Sequence, residues 1–325
     1  MHEQKINVKF HSPLANLMTE FLREKQTCGY RYQRESYELL RLDRFLCRTG
    51  LKTAGLPRDI VDEWTAKQAH EKPGTQKLPV IRIRQFALFL RQHGIDAYVP
   101  EGTKIPVNRI EFTPYIFRRE EIEKILQAVD RMPSDTRTPM RHLIMPEIFR
   151  LLYCCGMRIN EVLHLKIEDV DLGSGVLTVR DGKFSKDRLV PMAPSTTLRL
   201  RRYASVLGNS SEFFFPAPDD GPYSKETVYQ IFRQLLLASH IPHGGRGRGP
   251  RLHDLRHSYA VHRLEIWYRQ GADLAAKLPL LSTYMGHKSL VGTQRYLHLT
   301  PEIFPDIISR LDQFAGHVIP RRAVR

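Results

Sequence analysis

Tyr296 follows His287 by nine positions, and Arg256 follows His253 by three. A phenol attacks only when charge on its oxygen is stabilised, because its free pKa is about 10. Two guanidinium groups would provide that stabilisation. His253 and Arg256, three apart on a helix, share a face and can both donate hydrogen bonds to one anion. Arg158 lies in Gly156-Met157-Arg158-Ile159-Asn160-Glu161, in a turn between two helices. A guanidinium there suits bidentate phosphate binding, and Glu161 can orient it from one turn away. Lys183 lies in Gly182-Lys183-Phe184-Ser185-Lys186-Asp187-Arg188, at the tip of a hairpin. An ammonium that gives up its proton in a transition state is a general acid. Each residue also has an ordinary reading: a packing tyrosine, a surface helix turn, a capping ion pair, a solvated lysine.

The bulk charge points the same way as the arginines. Fifty Lys+Arg against 35 Asp+Glu give the 325-residue chain a net charge of +15. Such a surface attracts polyanions, and nucleic acid is the commonest of these for a soluble chain. No apolar run reaches the length of a membrane span, and MHEQKINVKF carries no apolar signal core. The four cysteines, Cys28, Cys47, Cys154 and Cys155, form no C-x-x-C pair. The adjacent pair Cys154-Cys155 lies in an apolar stretch and reads as core thiols; a reducing cytoplasm fits and structural zinc does not.

These residues need elements to position them. In residues 1–100, apolar side chains recur at helical spacing: Leu14, Leu17 and Phe21; Leu39, Leu42, Phe45 and Leu46; Ile60, Val61 and Trp64; then Val80 to Phe89. Ser12-Pro13 reads as a helix start, a capping hydroxyl followed by proline. Arg31, Arg34, Arg41, Arg82, Arg84 and Arg91 on these helices could grip a phosphate backbone or simply face solvent. The stretch YVPEGTKIPVNRIEFTP has three prolines and no period, and places a linker at 101–113. Helices are predicted near 118–129, 141–155, 195–205 and 224–237. Between them, residues 176–179 and 188–191 read as two hairpin strands turning at Asp181-Gly182. Gly286 ends a further helix, and Ser289 can cap the next, with Tyr296 two turns in. Residues 244–251, GGRGRGPR, read as a basic loop.

In chain order the candidates are Arg158, Lys183, His253, Arg256, His287 and Tyr296. With the motifs G-M-R-I-N-E, G-K-F-S-K-D-R-L-V-P, L-H-D-L-R-H and M-G-H-K-S-L-V-G-T-Q-R-Y, this resembles the tyrosine recombinase (phage integrase) family over residues 112–310. The resemblance implies a mainly α fold: a helical core-binding domain at 1–100 and a mixed α/β catalytic domain at 114–325. That second domain would be mostly helical, with a small antiparallel β-sheet. It implies site-specific recombination through a 3′-phosphotyrosyl link to Tyr296. Arg158 and Arg256 would clamp the phosphate and His287 would bond it. His253 would bond it too or help deprotonate Tyr296, with Glu161 in support. Lys183 would protonate the 5′-oxygen, although Phe184 stands where the family usually has glycine, which leaves Lys186 as the other candidate. No cofactor or metal is implied. The implied partners are duplex DNA, three further copies of the chain on two DNA sites, and accessory recombinases or DNA-bending proteins. A mobile element is the expected setting and the nucleoid-associated cytoplasm the expected place. A silent DNA-binding regulator and a type IB topoisomerase are the competing readings on this fold; a basic RNA-binding protein is a third. Arg256 and His287 are 31 positions apart, further than in simple members. The extra residues, in EIWYRQGADLAAKLPLL, would lengthen a helix or touch a partner. An apolar stripe at Ile303, Phe304, Ile307, Ile308 and Leu311 would dock in cis or in trans.

Overall fold

The computed structural model describes residues 8–28, 30, 32–66, 73–101, 113–180, 187–207, 211–245, 249–287 and 289–299. The chain divides into two compact units, Met1–Phe112 and Thr113–Arg325. In the first, helices α1 (Ala15–Thr27), α2 (Gln33–Arg48), α3 (Arg58–Thr65) and α4 (Pro73–Gln92) turn their apolar faces to one core. Met18 and Phe21 of α1, Leu42 and Leu46 of α2, Val61 of α3, and Phe86, Phe89 and Leu90 of α4 are all buried there. Burying each such side chain stabilises the unit by about 1.5–3 kcal/mol. Pro79 lies inside α4.

Ser12 does not cap α1. The helix begins at Ala15 after Leu14, with no side-chain cap, and the Ser12 hydroxyl is buried without a hydrogen-bond partner. The buried Asp43 carboxylate accepts instead from the backbone N–H groups of His11 and Ser12, the latter at 2.8 Å. Four arginines read as phosphate grips have partners inside the unit. Arg82 lies 3.5 Å from Glu38, Arg41 3.2 Å from the same carboxylate, Arg84 donates to the Pro100 carbonyl and Arg91 to that of Ala97.

The second unit is built around α6 (Arg141–Cys154). Its apolar residues run nearly all round, so it is buried on most sides, against α5 (Arg119–Asp130), α8 (Pro194–Ala204) and α10 (Leu252–Arg269). Short α7 (Ile159–Leu163) follows α6, and α9 (Lys225–Ala238) packs on α5 with Val228, Ile231, Phe232 and Leu235 inward. Ser224 caps α9 by accepting from the Thr227 N–H at 3.0 Å. The sheet has three antiparallel strands in the order β1 (Val170–Asp171), β2 (Val176–Val179), β3 (Arg188–Pro191). Val179 pairs with Arg188, and Leu177 with Val190 on one side and Val170 on the other. β1 was not read from sequence, since two residues carry no period. The hairpin tip, 181–186, lies outside the described residues.

Residues 265–281 form the end of α10, a turn and most of α11 (Leu274–Met285). α10 runs on to Arg269, Gly271 turns the chain with φ +71°, and Asp273 caps α11 from its carboxylate. Buried Glu265 ties the last turns of α10 to α5 through Arg119 at 3.0 Å and pairs with Arg269 at 2.7 Å. After α11 come α12 (Val291–Gln294) and a 3₁₀ turn at Arg295–Leu299. Ser289 does not cap α12, which starts after Leu290 with no side-chain cap. Tyr296 sits in the 3₁₀ turn, not in an α-helix, and the stripe at 303–311 lies outside the described residues. No described helix is long and apolar enough to cross a membrane, and the described residues hold no His/Cys/Asp/Glu cluster fit for a metal.

Candidate active site

Three arginines meet the C-terminal end of α11. Arg188 of β3 donates from Nε to the Tyr284 carbonyl at 2.9 Å. Arg256 of α10 donates to the Met285 carbonyl and also to that of Gly156. Arg158, which precedes α7, donates to the Gly286 carbonyl at 2.6 Å. The last carbonyls of a helix have no partner within it and carry its negative dipole end, so they attract cations. Gly286 makes the end possible by taking the left-handed conformation, φ +64°. Gly156 does the same for α6 at φ +57°, and a Cβ there would stand 2.4 Å from the Tyr259 ring.

Glu161 binds two of these arginines. It accepts from Arg158 at 2.6 Å and from Arg188 at 2.9 and 2.7 Å, and also from the Arg158 backbone N–H. Burial alone would raise its pKa, but the Arg188 and Arg158 contacts outweigh burial and bring it down to about 2. Three guanidinium charges thus stand against one hydrogen-bonded carboxylate. Arg256 is 1% exposed. Burial, then the nearby Arg158 charge, pushes its pKa down to about 9, so it stays protonated at neutral pH. A buried cluster with surplus positive charge is a site for an anion.

The histidines and the tyrosine border the same cluster. His253 keeps a solvent-exposed face; enclosure of the rest of the ring, then the Arg256 and Arg158 charges, pushes it down to about 4. Burial and the same two arginines push His287 down to about 4. Its Nδ1 lies 2.7 Å from the Thr293 hydroxyl, which is fully buried, so the other ring nitrogen is left for a ligand. Tyr296 is 4% exposed and packs with Val261, Leu264 and Met285. Its ring centroid is 6.0 Å from that of His287. Burial raises its pKa, against the lowering pull of Arg256, Arg158 and Arg295.

The structure therefore gathers Arg158, Glu161, His253, Arg256, His287 and Tyr296. Lys183 lies outside the described residues, as do Phe184 and Lys186. Sequence reasoning missed Arg188, Thr293 and His257, whose Nδ1 is 3.0 Å from the Tyr296 hydroxyl. His257 could have been found, since it stands one helical turn after His253 and so shares its face; the two rings are 4.7 Å apart. Arg188 and Thr293 gave no comparable signal.

The phage integrase family's sequence profile matches residues 116–302. The Sinorhizobium fredii protein y4rB, named as a candidate integrase/recombinase, is 28% identical over 93% of this chain and 98% of its own length. Tyrosine recombinase XerD of Pseudomonas aeruginosa is 28% identical over 85% of this chain and 90% of its own. In fold, the chain resembles the XerH site-specific recombinase solved in a post-cleavage complex with a palindromic difH substrate: TM-score 0.60, 19% identity, 95% of this chain and 97% of that one. The chain belongs to the phage integrase family, the tyrosine recombinases, DNA strand-transferring enzymes of site-specific recombination.

Proposed function

We propose that this chain cuts and rejoins DNA through a covalent link between Tyr296 and a 3′-phosphate. The observation that carries the reading is the meeting of Arg158, Arg256 and Tyr296 around one anion-seeking cluster. Tyr296 attacks a DNA phosphate, the P–O5′ bond breaks, and a second strand's 5′-hydroxyl later reverses the step. Arg158 and Arg256 hold the non-bridging oxygens, where charge builds in the pentavalent transition state. His287 donates a further hydrogen bond. His253, at the exposed rim beside both arginines, bonds the phosphate. Lys183 protonates the leaving 5′-oxygen. Glu161 holds Arg158 in place. The bond energy is kept in the phosphotyrosine, so no external energy source is needed.

The units divide the work. Residues 1–100 form a helical core-binding domain, joined by 101–113 to the catalytic domain at 114–325. Arg41, Arg44 and Arg48 line one open cleft of the first unit with Trp64, a surface suited to phosphates. Four protomers act on two sites, by analogy with the lambda integrase solved as a dimer on a core site. A mobile element is the biological setting that fits the integrase/recombinase name of y4rB.

The test needs no known DNA site. The protein is expressed in its native host, cells are lysed in denaturing detergent, and attached DNA is sequenced with the linked peptide mapped by mass spectrometry. Attachment at Tyr296 to one recurrent sequence is expected. Tyr296→Phe should keep DNA binding and lose the adduct. Adduct formation by that variant would move the nucleophile elsewhere.

A further inference from the structure

We infer that His257 is the proton acceptor for Tyr296. The inference rests on Tyr296 being the nucleophile, and concerns the step that makes it one. The Tyr296 hydroxyl must lose a proton as its oxygen bonds phosphorus, and His257 Nδ1 is the basic atom at hydrogen-bond distance, 3.0 Å. The two rings are tilted 55° to each other, with 5.6 Å between centroids. Both are held from behind. His257 stands on α10 between buried Arg256 and buried Ser258, and Ser258 is fixed to the Phe117 N–H at 2.9 Å and to the Asp254 carbonyl at 2.8 Å. Tyr296 is locked in the apolar cluster that α10 and α11 share.

The surroundings keep the imidazole neutral and its lone pair available. Burial comes first among the causes, then His253 of its own helix, Arg251 just before that helix, Arg256 within it and Arg295 of the 3₁₀ turn, and they push His257 down to about 3. A weak base suffices here. The proton starts on a phenol that burial holds above its free pKa of about 10, and would otherwise end on an oxygen already bonded to phosphorus, which is far more acidic. A base between these limits takes the proton as the bond forms. The balance closes: O–H of Tyr296 gives its proton to Nδ1, Oη bonds phosphorus, and P–O5′ breaks with the 5′-oxygen protonated by lysine. In rejoining, His257 returns the proton to Tyr296.

The test uses the full-length protein and the DNA recovered with its own adduct, rebuilt as a nicked duplex so that the cut strand is lost. Adduct formation is timed in wild type, His257→Asn and His257→Gln, with DNA binding and thermal unfolding as controls for folding. Asparagine and glutamine can accept a hydrogen bond but not a proton. The expected loss is roughly 10²–10⁴-fold in rate. The loss should shrink as pH rises past the free phenol's pKa of about 10, above which burial has moved Tyr296, because solvent then begins to deprotonate it. It should persist on DNA carrying a 5′-bridging sulfur, whose leaving group needs no acid. A rate within about twofold of wild type in either folded variant, or rescue by the sulfur substrate, overturns the inference. Absence of an adduct in wild type would instead overturn the nucleophile itself.

Discussion

Glu161 is the residue whose loss would be felt most widely, because one carboxylate serves two arginines from different elements. Glu161→Gln leaves both arginines without their counter-charge. Removing one partner of a buried ion pair costs about 3–5 kcal/mol, and the lower end applies because Arg158 is partly exposed. The pH dependence has a definite sign. The folded pKa is about 2, against an ordinary 4.5, so the unfolded chain takes up the proton first as pH falls. The stabilisation is complete above about pH 4.5 and declines as pH drops toward 2. Urea unfolding of both proteins at neutral pH and near about pH 3 should show the gap between them narrowing in acid. A gap that stays constant would mean that Glu161 acts by shape and not by charge. The role of Glu161 toward Arg158 was legible in sequence because the two lie three apart at a helix start. Its second partner was not, since Arg188 arrives from a strand 27 positions away.

At the scale of elements, two glycines in the same unit separate backbone strain from crowding. Both have positive φ, +57° at Gly156 and +71° at Gly271. A Cβ at Gly271 meets nothing within 4 Å, whereas at Gly156 it would strike the Tyr259 ring. Gly271→Ala should cost about 1–2 kcal/mol for the left-handed conformation alone. Gly156→Ala should cost about 1–3 kcal/mol more for overpacking. It should also slow cleavage, because the Gly156 carbonyl holds Arg256. Thermal unfolding and adduct timing of the two variants check this; equal losses of stability would show that Tyr259 yields freely. The helices were legible from apolar period, including buried α6, and so was the hairpin. Short elements were not. β1, α12 and the 3₁₀ turn that holds Tyr296 are too brief to show a period: β1 is set by pairing with β2, α12 by packing on α11, and the turn by packing on α10. The Ser12 cap failed for a similar reason: Asp43, 31 positions away, takes the backbone N–H groups near the start of α1.

For the whole molecule, a net charge of +15 predicts binding governed by counterion release. If about six to ten phosphates are neutralised, affinity should fall by roughly 10³–10⁵ between about 50 and 200 mM salt. Tyr296→Phe should give the same slope, since a covalent bond adds nothing to it. A titration of the recovered DNA in increasing salt decides this, and a flat response would remove charge as the basis of binding. The family could be read, and with it most of the side chains that gather in the candidate site, because the sequence keeps their spacing. The main-chain acceptors for the three arginines at the end of α11, the carbonyls of Tyr284, Met285 and Gly286, could not be read, because a carbonyl leaves no mark in the sequence. That choice of acceptor has an evolutionary side. A main-chain oxygen is offered by any amino acid, so the side chains at 284 and 285 answer to packing, Met285 in the core beside Tyr296 and Tyr284 on the Pro191 carbonyl, and not to the aim of the arginines. Alanine scanning would pass over this anchor, and an amide-to-ester change would find it.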